Sequence, residues 1–173
     1  MSVQYSSDNM QKKRKKLRLQ NYDYSQNGMY FVTICTQNKK HFFGKITNDE
    51  MKLNQCGKIV YECLVDIPNH FDDVIVNEFV IMPNHIHAII EIVVDRHVCP
   101  LQRRQQQLLP KVIGGFKASV TKNINNKFGK NNFKWQRSYY DHIIRKEESL
   151  KKIQEYIMIN FSEWKKYKLY KTS

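Results

Sequence analysis

Two dense Val/Ile/Phe segments, residues 73–82 and 85–94, flank the dipeptide Pro83-Asn84, and no other part of the chain constrains the fold as tightly. β-Branched and aromatic side chains at that density favour extended backbone, and Pro-Asn between them favours a tight turn. The pair therefore reads as two antiparallel strands at the centre of a sheet. Every other element has to be placed against them.

Residues 29–37 (MYFVTICTQ) follow the turn signal Asn27-Gly28 and read as a third strand, with 41–46 expected to pair with it as a hairpin. From 54 to 67, Ile59, Val60, Cys63, Leu64 and Ile67 recur at spacings of three and four, a helical period that Pro68 ends. Residues 95–109 hold Arg103, Arg104 and three consecutive glutamines and read as an exposed connection. Pro110 suits the first turn of a helix reaching about Phe128, with Val112, Ile113, Phe116, Val120 and Ile124 as its apolar stripe and Lys117, Lys122 and Lys127 on its other sides. Residues 134–144 read as a strand, and 147–161 as an amphipathic helix on Leu150, Ile153, Ile157 and Phe161. The order β-β-α-β-β-α-β-α, without internal repeats, predicts an α+β or α/β sandwich: a central, mainly antiparallel sheet flanked by helices. At 173 residues one core is the default. It is expected over 21–173, after a basic arm at 1–20 that is partly disordered.

Charge is unevenly spread. Residues 1–100 hold 12 basic and 11 acidic side chains, a net of +1, whereas 101–173 hold 17 and 5, a net of +12. Residues 1–20 alone carry six basic groups against one acidic. A basic arm and a basic C-terminal half suggest a polyanion gripped from more than one side, nucleic acid first and anionic membrane second. No run approaches the ~18–20 apolar residues of a membrane span, and Lys12-Lys13-Arg14-Lys15-Lys16 precedes no apolar stretch of the secretory kind. Cys35, Cys56, Cys63 and Cys99 form no CxxC pair and read as free cytosolic thiols.

His85-Ile86-His87 lies inside a predicted central strand, where residues two apart share a face, about 7 Å apart at the Cα. Both imidazoles can then converge on one cation. They can equally be a half-exposed strand pair. With no cysteine nearby, a ligand set would be nitrogen and oxygen, which suits Mg²⁺ or Mn²⁺. A cation beside a positive groove points to phosphodiester chemistry. No cluster of carboxylates surrounds the histidines, although Glu78 and Glu91 flank them. Tyr156 and Asn160 stand four apart on the last predicted helix and share a face, either reaching the histidines or forming a polar boundary pair. The segment Trp135-Gln136-Arg137-Ser138-Tyr139-Tyr140-Asp141-His142 can stack bases and hold phosphates, or can be an ordinary strand. Arg137 and Arg145 bracket it as phosphate contacts.

Beyond these local readings, residues 78–87 (EFVIMPNHIH) resemble the HUH signature of IS200/IS605-type Y1 transposases, specifically the transposase-like proteins associated with repetitive extragenic palindromes. The resemblance covers roughly residues 12–162. It includes the arm from Arg14 to Leu19, Tyr22-Asp23-Tyr24-Ser25, residues 30–37, the YYDHIIR strand from Tyr139 to Arg145, and Tyr156-Ile157 with Asn160. One departure is Phe161, where the family has proline. The resemblance implies a ferredoxin-like/RRM-like HUH endonuclease fold. It implies that His85 and His87 bind a divalent cation, Mg²⁺ or Mn²⁺, with Asn160 as third ligand, and that Tyr156 is the nucleophile. The implied reaction cuts single-stranded, hairpin-associated DNA, forms a 5′-phosphotyrosine and frees a 3′-OH that can later rejoin strands. Lys12, Lys13, Arg14, Lys15, Lys16, Arg18, Lys117 and Lys122 are the expected grips on DNA, beside Arg137 and Arg145. A cytoplasmic, nucleoid-associated protein is expected, monomeric rather than homodimeric. Two other readings stand beside it: a catalytically silent, structure-specific DNA-binding regulator, and a rolling-circle initiator or relaxase, whose surrounding motifs match poorly.

Overall fold

The computed structural model describes residues 22–24, 26–93, 107–129, 133–161 and 164. Outside them lie Lys12, Lys13, Arg14, Lys15, Lys16 and Arg18 of the expected arm, Cys99, and the connection up to residue 106. In chain order the described residues form β1 (Gly28–Cys35), β2 (Gly44–Thr47), β3 (Glu50–Leu53), α1 (Gln55–Val65), α2 (Ile67–His70), β4 (Val74–Met82), β5 (His85–Ile92), α3 (Leu108–Phe128), β6 (Tyr140–Ile144) and α4 (Glu147–Ile159).

The Val/Ile-rich pair β4 and β5 is antiparallel, from Val74↔Ile92 to Met82↔His85. β1 takes the other edge of β5 and β6 the other edge of β1, both antiparallel, giving the order β4-β5-β1-β6. α1 lies in the chain between the first and second strands of this sheet, and α3 between the third and fourth. That is the βαββαβ arrangement of ferredoxin-like folds.

Alternation along the strands divides the sheet into two faces. Tyr30, Val32 and Ile34 of β1 and Ile86, Ala88, Ile90 and Ile92 of β5 join one core with α1 (Ile59, Val60, Leu64) and α3 (Leu109, Val112, Ile113, Phe116, Val120, Ile124). On the opposite face, Val80, Met82 and Ile89 meet Ile157 and Trp164 in a smaller core, with Leu150, Ile153 and Phe161 packed against it. The β4 bulge between Val76 and Phe79 resets the alternation, so that Val80 and Met82 join the smaller core.

Several expectations need correction. Residues 41–46 do not pair with β1, because both edges of β1 are already occupied. Instead β2 pairs with β3 in a separate two-stranded sheet, turning through Asn48 and Asp49 at φ 55° and 58°. Positive φ at both central residues matches the twist of tight hairpins. Pro68 does not end the first helix: α1 stops at Val65, and Pro68 sits in the first turn of α2, where its missing N–H costs nothing. Only Tyr140–Ile144 of the expected 134–144 strand joins the sheet. From Thr33↔Tyr140 to the bridge Thr36↔Trp135 the chain takes five steps against three on β1, so two surplus residues leave the ladder. Pro110 does sit in the first turn of α3, which begins at Leu108 and ends at Phe128 as expected, whereas α4 ends at Ile159 rather than 161. Among the described residues no helix is long and apolar enough to cross a membrane. Cys35, Cys56 and Cys63 are free thiols.

Candidate active site

The last residue of the β4–β5 turn and the first of β5 are Asn84 and His85. Asn84 is fully buried and clamped from the residue that follows β1: its carbonyl accepts from Thr36 N–H at 2.9 Å, with the Thr36 hydroxyl, shared with the Lys40 carbonyl at 2.8 Å, 3.0 Å away. Its side-chain Nδ2 donates to the Lys39 carbonyl at 3.0 Å, which turns Oδ1 toward His85 Nδ1, 2.7 Å away. An amide oxygen only accepts, so His85 Nδ1 carries the proton and Nε2 keeps its lone pair. His87 Nδ1 lies 2.8 Å from Thr33 Oγ1, on the β1 residue directly opposite it. The two Nε2 atoms stand 3.0 Å apart.

Both imidazoles are buried, at 1% and 3% exposure. Burial, followed by the neighbouring His87, Lys39 and His41, holds His85 well below the ordinary imidazole range. Burial pushes His87 down to about 3. Both rings are therefore neutral at pH 7, the form with a lone pair to give.

α4 supplies the remaining groups. Its apolar stripe seats Ile157 in the smaller core, which leaves the adjacent Tyr156 directed at the histidines. Tyr156 Oη lies 3.1 Å from His87 Nε2, and its ring meets His87 and Phe31 edge-on. Asn160 follows one helical turn later, fully buried, with neither Oδ1 nor Nδ2 hydrogen-bonded. Two flat rings flank the histidines: Phe31 stacks on His87 at 5.2 Å and 20°, and Trp164 on His85 at 5.7 Å and 25°.

This donor set fits a divalent cation. Adjacent ligands of an octahedral ion with bonds of about 2.1 Å stand about 3.0 Å apart, the spacing of the two Nε2 atoms. Each Nδ1 has a partner that fixes its ring, as metal-bound histidines require. No group of three or more His, Cys, Asp or Glu side chains gathers among the described residues. A third protein donor would have to come from outside those types, and the unbonded Asn160 amide is such a group. Glu78 and Glu91 are engaged elsewhere, accepting from Gln154 at 2.7 Å and Asn77 at 3.0 Å.

The basic residues are scattered by comparison. Lys117 Nζ donates to the carbonyls of Gln136 and Arg137 at 2.7 and 3.2 Å, and burial lowers its pKa. Lys122 is exposed on α3, across the sheet from the histidines. Arg137 lines an open groove of about 820 Å³ with Gln37, Lys39, Lys134 and Trp135, beside the His85 end of the sheet. Arg145 lies at the opposite end, over the Tyr22 ring at 6.0 Å. His142 is exposed on β6, opposite Phe31. The sequence reading missed Thr33, Phe31 and Trp164 at the site and took Asn84 only as a turn residue. The His87 contact with Thr33 spans 54 residues and depends on strand register, which no local pattern reports.

Comparison with known proteins follows the same lines. An uncharacterized protein of Haemophilus influenzae is 42% identical over 172 residues, covering 91% of this chain and 93% of that protein. Among solved structures, a REP-associated tyrosine transposase bound to a REP hairpin shares the fold at a TM-score of 0.51 and 16% identity, over 80% of this chain and 68% of that one. A candidate transposase of Deinococcus radiodurans does so at 0.50 and 15%, over 82% and 95%. The family model of IS200-like transposases matches residues 24–160, from Tyr24 to the buried asparagine that follows α4. By that match the chain belongs to the IS200-like transposase family, and a DNA-transposase role comes with membership.

Proposed function

We propose that this chain is a metal-dependent transesterase of single-stranded, hairpin-associated DNA, of the branch associated with repetitive extragenic palindromes. The observation that carries the reading is the meeting of Tyr156 Oη with His87 Nε2 at 3.1 Å, beside two Nε2 atoms that converge at 3.0 Å. A phenol and two neutral imidazoles meet there from β5 and α4, and the buried, unbonded Asn160 amide follows Tyr156 by one helical turn.

In this reading His85, His87 and Asn160 hold Mg²⁺ or Mn²⁺. When bound, that cation offsets charge on the scissile phosphate and on its five-coordinate transition state. Tyr156 attacks phosphorus in line. The Tyr–O–P bond forms as the bond to the 3′ oxygen breaks; the phenol loses a proton and the departing oxygen gains one. The products are a 5′-phosphotyrosine and a free 3′-OH. The ester energy stays in the adduct, so attack by another 3′-OH rejoins strands without ATP. Arg137 and Arg145 contact phosphates, and Lys117 and Lys122 on α3 add to the positive field, with Lys12, Lys13, Arg14, Lys15, Lys16 and Arg18 from the arm. The protein works as a monomer in the nucleoid.

Covalent trapping tests this. The purified chain is incubated with Mg²⁺ or Mn²⁺ and labelled single-stranded hairpins from around its own gene, then run on a denaturing gel. A metal-dependent protein–DNA band is expected, and Tyr156→Phe abolishes it while leaving hairpin binding intact. A band that persists in Tyr156→Phe moves the nucleophile elsewhere. Hairpin binding without any band favours a silent DNA-binding protein.

A further inference from the structure

Trp164 stands out because no part of the chemistry above uses it. Its ring is 4% exposed, lies nearly parallel to that of His85 at 5.7 Å, and meets His41 at 5.9 Å. Its backbone N–H bonds to the Phe161 carbonyl at 3.3 Å, one tight turn past α4. The chain thus places Tyr156, Asn160 and Trp164 at successive intervals of four residues: Tyr156 meets His87, and Trp164 meets His85.

The two imidazoles are supported alike. Each has one hydrogen-bond partner at Nδ1 and one flat ring against its face: Thr33 and Phe31 for His87, Asn84 and Trp164 for His85. A hydrogen bond at Nδ1 sets the in-plane direction of Nε2, and at His85, where the partner is an amide oxygen, the tautomer as well, but it leaves the ring free to rock about that bond. A stacked ring removes the rocking. Three of these supports belong to the sheet and its turn. Trp164 alone comes from the segment beyond α4.

We infer that Trp164 is a positioning residue that holds the His85 imidazole in the plane where its Nε2 converges with that of His87 on a divalent cation. It couples the seating of the α4 end of the chain to metal affinity. This rests on the metal reading proposed above.

The test is Mn²⁺ affinity of the full chain without DNA, read from the electron-paramagnetic signal of the free ion. Trp164→Leu keeps an apolar side chain in the smaller core but removes the flat face, and is expected to weaken Mn²⁺ binding at least about tenfold. Trp164→Phe restores a ring and is expected to stay within about threefold. The chain has two tryptophans, so Trp135→Phe leaves Trp164 as the sole indole, excited selectively on the red edge where tyrosine does not absorb. Its fluorescence is expected to change with the midpoint of Mn²⁺ binding, and that of the Trp164→Phe protein to stay constant. Equal Mn²⁺ affinity of wild type and Trp164→Leu overturns this inference alone. No Mn²⁺ uptake by the wild type overturns the metal reading and this inference together. Should Trp164→Leu fail to fold, the Trp135→Phe emission decides: a signal indifferent to bound Mn²⁺ sinks the role.

Discussion

The two faces of the β4-β5-β1-β6 sheet are built from the same strands and differ in what they enclose. On the α1 and α3 side, Ile86, Ala88, Ile90 and Ile92 alternate into a large, mainly apolar core, with the Tyr30 phenol raised well above its ordinary range by burial and Asp141 set beside Val32 at its β6 margin. On the α4 side, His85 and His87 occupy the intervening positions, and Asn160 adds two buried polar atoms without partners. One register of alternation along a single strand thus serves stability on one side and, in the proposed reading, chemistry on the other.

Substitutions at neighbouring positions of β5 separate the two roles. The largest effect is expected on the chemical face: His85→Ala with His87→Ala lowers metal-dependent adduct formation by at least about a thousandfold, while salt-sensitive hairpin binding remains. Cleavage that survives in the double variant would remove the metal assignment. One residue away, Ile86 is fully buried on the other face, and Ile86→Ala is expected to cost about 3 kcal/mol in urea unfolding while the folded fraction still cleaves normally. If both substitutions reduced stability and chemistry in equal measure, the division between faces would collapse.

Acid sharpens the same contrast in the metal-free protein. An unfolded imidazole titrates near 6.5, whereas native His87 resists protonation to about 3. The unfolded state therefore binds more protons in between, and stability falls as the pH drops from about 6.5 toward 3. Between pH 7 and 5 this amounts to about 2 kcal/mol for His87, and His87→Asn should flatten that part of the profile. The smallest effect is expected outside both cores. Arg137→Ala, at the open groove, should lower the log–log salt slope of hairpin binding by about 1, uniformly across sequences. Lys117→Ala should instead disturb the loop at Gln136 and Arg137, whose carbonyls it binds.

The sequence made the apolar face easy to read and the chemical face only half so. β4, β5, α3 and α4 follow strong periods, and their bounds shift by only one or two residues. The β2–β3 hairpin was missed although Asn48-Asp49 carries its turn signal, because the short flanking segments show little alternation. The over-long strand at 134–144 failed because two surplus residues leave a ladder that sequence cannot count. At the site, His85, His87, Tyr156 and Asn160 were nameable from spacing and resemblance. Thr33, Phe31 and Trp164 were not, since their roles come from strand register and from chain geometry past a helix end.

The separation of His87 from Tyr156 by 69 residues has a consequence during synthesis. At about 5–20 residues per second, several seconds pass between polymerising the histidine pair and polymerising the tyrosine. Throughout that interval the nascent chain already carries the first basic arm and the strand with both imidazoles, yet not Tyr156, the phenol that meets them. Under the proposed mechanism, a chain released before residue 156 would lack the nucleophile. The order of residues along the gene would then act as a safety interlock, with the cutting group made long after the histidine pair.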